Sequence, residues 1–284
     1  SGDVSNVVIP PDGEWIIFTR TTPDYIDTSL WAIRFNGADE HLLVNHEEFM
    51  AMPLHPGISG SDVITVTPWM MQFVPGTHTL AFMTTPQFEG PGFFDNKDLW
   101  LVNVENSVRT SLLAAGQGGH FYFSPDGSQL ALVTPERIDL MNTDSSDRRI
   151  GVLTYPFVYT YSEYAYHAMP IWSQDSSYLM AAIPPQEPPA DATAPVKIYH
   201  INTDGSPASL ITSFVVSPLD NAALAPDLTH FAFKQQIGDP GDNLHSLKLA
   251  NLSGGPAVEF TSGSLGFGAW APDSNHFNYT DWNS

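Results

Sequence analysis

One short pattern recurs along this chain, and a repeat of that kind constrains the architecture more than any single residue does. Phe123-Ser124-Pro125-Asp126-Gly127-Ser128-Gln129-Leu130-Ala131-Leu132 reads as strand, tight turn, strand. The same register returns as Leu224-Ala225-Pro226-Asp227-Leu228 before Phe231-Ala232-Phe233, and as Trp270-Ala271-Pro272-Asp273-Ser274 before Phe277-Asn278-Tyr279. Looser copies are Pro11-Asp12-Gly13 before Trp15-Ile16-Ile17-Phe18, Val74-Pro75-Gly76 before Leu80-Ala81-Phe82, and Trp172-Ser173-Gln174-Asp175 before Leu179-Met180-Ala181, which has lost its proline. Proline presets φ for the first turn position, while Asp and Gly supply side-chain hydrogen bonding and positive φ. The copies recur about every 50 residues, the period of a propeller blade.

The segments after each hairpin fit that period. Leu30-Trp31-Ala32-Ile33 runs into Asn36-Gly37, Leu99-Trp100-Leu101-Val102 into Asn103, Ile138-Asp139-Leu140-Met141 into Asn142-Thr143-Asp144, Ile198-Tyr199-His200-Ile201 into Asn202-Thr203-Asp204-Gly205, and Leu247-Lys248-Leu249 into Ser253-Gly254-Gly255. Each then returns through a short fourth strand such as Ser209-Leu210-Ile211-Thr212. Period-two alternation between Asn/Asp/Gly turns is the hairpin signal. The expectation is an all-β, six-bladed β-propeller of four-stranded antiparallel blades, one domain over residues 1–284. The blades fall near 4–45, 65–114, 119–154, 167–213, 220–262 and 265–284. The last is incomplete, since the sequence stops soon after Tyr279; an unpaired edge invites aggregation, so a further stretch of chain, another domain or another chain is expected to complete it. An opening Ser1-Gly2-Asp3 reads as a processed or trimmed start.

The Phe-Ser-Pro-Asp-Gly-Ser-x-Leu-Ala signature, followed by a strand into Asn-Thr-Asp-Gly, resembles the TolB-like propeller repeat over nearly the whole chain. That resemblance implies an extracytoplasmic protein, periplasmic, secreted or at the cell surface, that binds other proteins. Related propellers stand in front of peptidases or act as pectin-fragment lyases, and fold alone does not choose among these.

Charge removes some classes. Against 10 Lys+Arg stand 31 Asp+Glu, a net −21, which repels phosphate backbones and anionic lipid, so nucleic acid is not an expected partner. No apolar run reaches the length of a membrane span. With no cysteine, disulfide frameworks, thiolate metal sites and Cys nucleophiles are excluded. No Gly-x-Ser-x-Gly elbow, phosphate-cradling loop or Asp-x-Asp-x-Asp-Gly calcium loop is present.

In an up-and-down blade the first and third turns share one face, and the second loops and blade linkers share the other. The Pro-Asp-Gly turns are short and stereotyped, and His78, His230 and His276 in or after them read as turn-surface residues. The opposite face receives the long segments 21–29, 45–67, 85–98, 155–167, 184–196 and 235–245. Long loops on a rigid scaffold are where binding concentrates. They carry Asp95 and Asp98 with Phe93 and Phe94, and Tyr155, Tyr159, Tyr161, Tyr164 and Tyr166. These rings either stack on sugar faces or anchor a protein partner, or they pad the loops against one another.

The inner strands begin at that same face, where Asn6, Met70, His120, Met169, Asn221 and Phe267 form a rim, with Trp69, His167 and Asp220 just outside. Two imidazoles and a carboxylate suit a divalent Zn or Mn ion; as solvated rim residues bonded to loops they need none. The leading expectation is a non-catalytic binding module with no cofactor and a protein or carbohydrate ligand. Its binding residues are Trp69, Met70, His120, His167, Asp220, Asn221, Phe93, Phe94, Tyr159, Tyr161, Tyr164 and Tyr166. One alternative is a metal-dependent carbohydrate lyase or hydrolase using His120, His167 and Asp220. Another is a structural unit of a larger extracellular protein.

Overall fold

The computed structural model describes residues 3–23, 26–89, 95–161, 164–185, 195–216, 223–239, 242 and 244–282, with backbone alone at 159–161 and 164. The alternating segments become antiparallel strands that pair in chain order. The first sheet holds β1 (Asp3–Val8), β2 (Trp15–Thr21), β3 (Thr28–Arg34) and β4 (His41–Val44). The second holds β5 (Val63–Phe73), β6 (Thr79–Phe88), β7 (Leu99–Asn103) and β8 (Arg109–Leu113). The third holds β9 (His120–Phe123), β10 (Gln129–Thr134), β11 (Arg137–Asn142) and β12 (Arg149–Thr154). A hairpin of β13 (Tyr159–Tyr161) and β14 (Tyr164–Ala165) precedes the fourth, β15 (Ile171–Trp172), β16 (Tyr178–Ile183), β17 (Pro195–Asn202) and β18 (Ser209–Val215). The fifth holds β19 (Ala223–Leu224), β20 (His230–Gln236), β21 (His245–Asn251) and β22 (Val258–Gly263), and β23 (Leu265–Trp270) pairs with β24 (Phe277–Asp281).

Contacts divide the chain into two compact units, Ser1–Phe121 with Thr143–Ser146, and Tyr122–Asn142 with Asp147–Ser284. In the first, Trp15, Ile17, Leu30, Leu80 and Phe82 form one core. In the second, Ile138, Leu140, Leu179 and Ala181 pack in one cluster and Val196, Ile198, Phe231 and Phe233 in another. Second strands are the best buried. β10 and β16 are covered at every position after the first, because a third strand flanks each; β24, with no third strand among the described residues, is exposed almost throughout.

The turns share one hydrogen-bonding scheme in two copies and its aspartate part in others, such as Asp227 accepting from the Thr229 N–H at 3.0 Å and Asp273 from the Asn275 N–H at 2.9 Å. The Ser124 hydroxyl donates to Asp126 at 2.7 Å and accepts from the Gln129 N–H at 2.9 Å, and Asp126 also accepts from the Ser128 N–H at 3.0 Å. These bonds, the Ser124 hydroxyl first, push the Asp126 carboxyl down to about 2. Gly127 takes positive φ there, as Gly13, Ser176, Leu228 and Ser274 do in their turns. The copy without proline keeps the scheme: Ser173 donates to Asp175 at 2.7 Å and accepts from the Tyr178 N–H at 3.1 Å. The side-chain bonds define the turn, and proline only presets it.

Adjacent turns are also joined. The Asp126 N–H donates to the Ser176 hydroxyl at 3.2 Å, and the Asp227 N–H to that of Ser274 at 2.9 Å. His78 is more than a turn-surface residue: its ring nitrogens lie 2.9 Å from Asp12 and 2.8 Å from Glu105, and its pKa is raised by Glu105 and Asp12. Deeper in, indole N–H groups stitch inner strands together, Trp172 to the Tyr122 carbonyl at 3.0 Å and Trp270 to that of Ala223 at 2.9 Å.

The expected long loops are in part ordered elements, most of all three of them. Strand β5 begins at Val63 and pairs with β6 as far as Phe88, so 63–67 and 85–88 are ladder rather than loop. The β-branched run Val63-Ile64-Thr65-Val66-Thr67 is the physical reason. Upstream, Asn45 and Glu48 form a capping box over α1 (His46–Met50), whose Phe49 is fully buried against Phe82. Residues 155–167 contain the β13–β14 hairpin. Among the described residues no helix is long and apolar enough to cross a membrane.

Candidate functional site

In the first unit, the segment leading into β9 is pressed against the segment leading into β7. Gly118 makes that approach possible, since a Cβ there would lie 2.8 Å from the carbonyl oxygens of both Lys97 and Asp98. The Gly118 N–H donates to the Lys97 carbonyl and the Gly116 N–H to the Asn96 carbonyl. Asn96, fully buried, donates to the Pro53 carbonyl at 2.7 Å, to the Thr84 hydroxyl at 2.9 Å and to Asp98 at 3.1 Å, and accepts from the His55 N–H. Asp98 accepts from the Thr84 N–H and hydroxyl and from the Trp100 indole at 2.7–2.8 Å. Burial pushes its carboxyl up, against the pull of those bonds. Asp98, grouped in the sequence with the acidic long-loop residues, is therefore a structural carboxylate inside a polar knot.

The knot delivers Asp95 to His120. Their side chains meet at 3.2 Å, Nε2 to Oδ2, only 13% and 10% exposed. The Trp69 ring stands edge-on to His120, centroids 4.8 Å apart at 69°. A bulge between Trp69 and Gln72 puts Met70 at φ 48°, and Gln72 reaches on to the Phe121 carbonyl at 3.1 Å. Strand β1 repeats the device with a bulge between Ser5 and Val8 and Asn6 at φ 49°. A carboxylate, an imidazole and an indole at one half-buried place can hold a proton, offer N and O donors to a divalent cation, or present a ring and hydrogen bonds to a polar ligand.

Of the expected residues, Trp69, Met70 and His120 share this locality, and Asp95 joins them. Asp95 and His120 are 25 positions apart, and no local pattern in between would pair them; the Gln117-Gly118-Gly119 run before β9 is the nearest signal. His167 and Tyr166 belong to the second unit. Tyr166 is buried, and its hydroxyl donates to the Ala182 carbonyl at 2.7 Å. Tyr155 does the same, donating to the Thr134 carbonyl at 2.7 Å. Tyr159, Tyr161 and Tyr164 lie on the β13–β14 hairpin, described by backbone only. Phe93, Phe94, Asp220 and Asn221 lie outside the described residues.

No family model and no curated protein matches the chain. Among solved structures, it is similar to the β-propeller domain of the Trilobed protease from Pyrococcus furiosus, at 11% identity and a TM-score of 0.53, over 91% of this chain and 70% of that one. It is similar to a prolyl endopeptidase at 12% identity and a TM-score of 0.50, over 98% of this chain and 46% of that one. TolB from Acinetobacter baumannii is similar at 14% identity and a TM-score of 0.46, over 90% of this chain and 55% of that one. The chain thus spans about half the length of the last two. Likeness at this level establishes the fold, a β-propeller, and no activity.

Proposed function

We propose that this chain is a non-catalytic binding and interaction module of the TolB-like type, working outside the cytoplasm and meeting a protein or carbohydrate ligand on its long-loop side. One observation carries this: Trp69, His120 and Asp95 are gathered at a half-buried place by a dedicated polar knot. The turns at the other ends of the strands spend their polar groups on one another. Rigid support beneath an amphipathic ring is how a scaffold presents a binding surface. The acidity of the chain and its repeat signature support the extracytoplasmic placement.

The test is a glycan array together with cross-linking capture of protein partners, with Trp69→Ala, Tyr159→Ala and Phe93→Ala as variants. Retained binding in all three variants would overturn the assignment to this side; a weakening of about tenfold or more in Trp69→Ala supports it.

The Asp95–His120 pair favours a second reading, a metal-dependent carbohydrate-active enzyme. His120 and Asp95 are N and O donors suited to Mn or Zn, and the sequence expectation adds His167 and Asp220. Such an ion would act as a Lewis acid on a sugar oxygen. Elemental analysis after equilibration with Mn and Zn decides it: stoichiometric metal lost in both His120→Ala and Asp95→Asn supports the enzyme, and absence of metal from the unaltered protein sinks it.

A further inference from the structure

The second unit carries a half-open cavity of about 400 Å³ whose walls come from its inner strands and the segment before β15. Tyr122, Met169, Ile171, Ala223, Phe267 and Trp270 are among its lining residues, and none of the residues that line it carries a charge. The bonds that hold these walls apart are already in place. Trp172 and Trp270 fix the Tyr122 and Ala223 backbones through their carbonyls, and Tyr166, also in the lining, is tied to Ala182. The volume lies in the range of small-molecule sites, which are mostly apolar with few polar groups.

Tyr122 supplies such a group. Three tyrosines, Tyr122, Tyr155 and Tyr166, stand near one another in this core. The hydroxyls of Tyr155 and Tyr166 donate to backbone carbonyls, whereas that of Tyr122 has no hydrogen bond among the described residues. Burial raises the Tyr122 phenol to about 12, so it stays a neutral donor across the physiological range. A phenol can also accept one hydrogen bond. With no cation in the lining and a net charge of −21, an anion would enter against the field with nothing to pair with.

We infer that this cavity is a binding site for a small, neutral, largely apolar molecule bearing one hydrogen-bonding group, which the Tyr122 hydroxyl engages. The inference adds a small-molecule ligand to the binding role proposed above; it shares the rim positions Met169 and Phe267 with the long-loop side, uses neither His120 nor Asp95, and stands or falls by different variants.

The experiment is ligand-observed NMR and calorimetry on the full chain with 2-naphthol, naphthalene and 2-naphthoate. Both neutral molecules are expected to bind and the carboxylate not to. Tyr122→Phe is expected to keep the fold, because the lost hydroxyl has no hydrogen-bond partner among the described residues, and to weaken 2-naphthol by roughly 2- to 12-fold while leaving naphthalene unchanged. Ala223→Leu, checked for native circular dichroism, is expected to abolish both by filling the space; should it misfold, Met169→Trp at a 63% exposed position replaces it. No binding of either neutral molecule would overturn the site, as would binding that survives the filling variant. Equal 2-naphthol affinity in Tyr122→Phe would overturn the role of the hydroxyl. Binding of an octapeptide with a central Phe, without binding of free naphthol, would overturn the small-molecule assignment in favour of a protein side chain.

Discussion

At the turn between β9 and β10, Ser124 and Asp126 satisfy the backbone with groups no more than five residues away. Between β6 and β9, Asn96 satisfies a carbonyl 43 residues away and a hydroxyl 12 residues away, and accepts an N–H 41 residues away. Both regions answer the same demand, that buried backbone groups be bonded. In one, the side chains act locally and in duplicate; the other is held together once, across loops that must all be in place together. Damage should therefore stay local in the first region and spread in the second.

The largest effect is expected from Asn96→Ala, which strands several buried partners at once and should cost about 3–4 kcal/mol in urea unfolding. It should also weaken whatever binds at His120, because Asp95 loses its support. Gly118→Ala comes next, at about 2–3 kcal/mol, since two carbonyls must retreat from the new methyl. On the other side, Ser124→Ala removes a fully buried hydroxyl but leaves five related turns, and about 1 kcal/mol is expected with no change at His120. A Ser124→Ala cost equal to that of Asn96→Ala would break the comparison.

The smallest effect concerns pH. The carboxylates of Glu105 and Asp12 raise the His78 pKa, so its contribution is fully present below the unfolded value near 6.5 and is lost as pH rises through the folded one. Between pH 5.5 and pH 9 the stability gap between the unaltered protein and His78→Gln should narrow; a gap that widens would show that the clamp does not depend on the imidazolium. The opposite sign holds for Asp126, whose lowered carboxyl contributes above about 3.8 and loses that contribution as pH falls toward 2.

The same contrast explains what was legible in the sequence. Turn, strand and order of pairing follow from residues a few positions apart, so Pro125-Asp126-Gly127 and its copies announced the sheets, and the alternation in Leu99-Trp100-Leu101-Val102 announced β7. Trp69 and His120 were found because they sit at fixed counts from those turns. The pairing of Asp95 with His120 was not legible because it is set by Asn96 and Gly118, whose roles exist only after distant segments meet. The burial of Tyr166 and Asp98 was not legible for a related reason. A tyrosine or aspartate in a long segment reads as exposed, yet each here found buried partners that no local pattern records.

The hydroxyls of Ser176 and Ser274 have a consequence for how the second unit opens. The amide hydrogens of Asp126 and Asp227 are held by turns that belong to the neighbouring sheet. An amide bonded within its own sheet exchanges with deuterium when that sheet frays. These two exchange when one sheet parts from the next. Their exchange rates are thus a built-in gauge of sheet separation, readable at two junctions in one measurement. Ser176→Gly would remove the gauge at the first while leaving its own backbone turn easier to form.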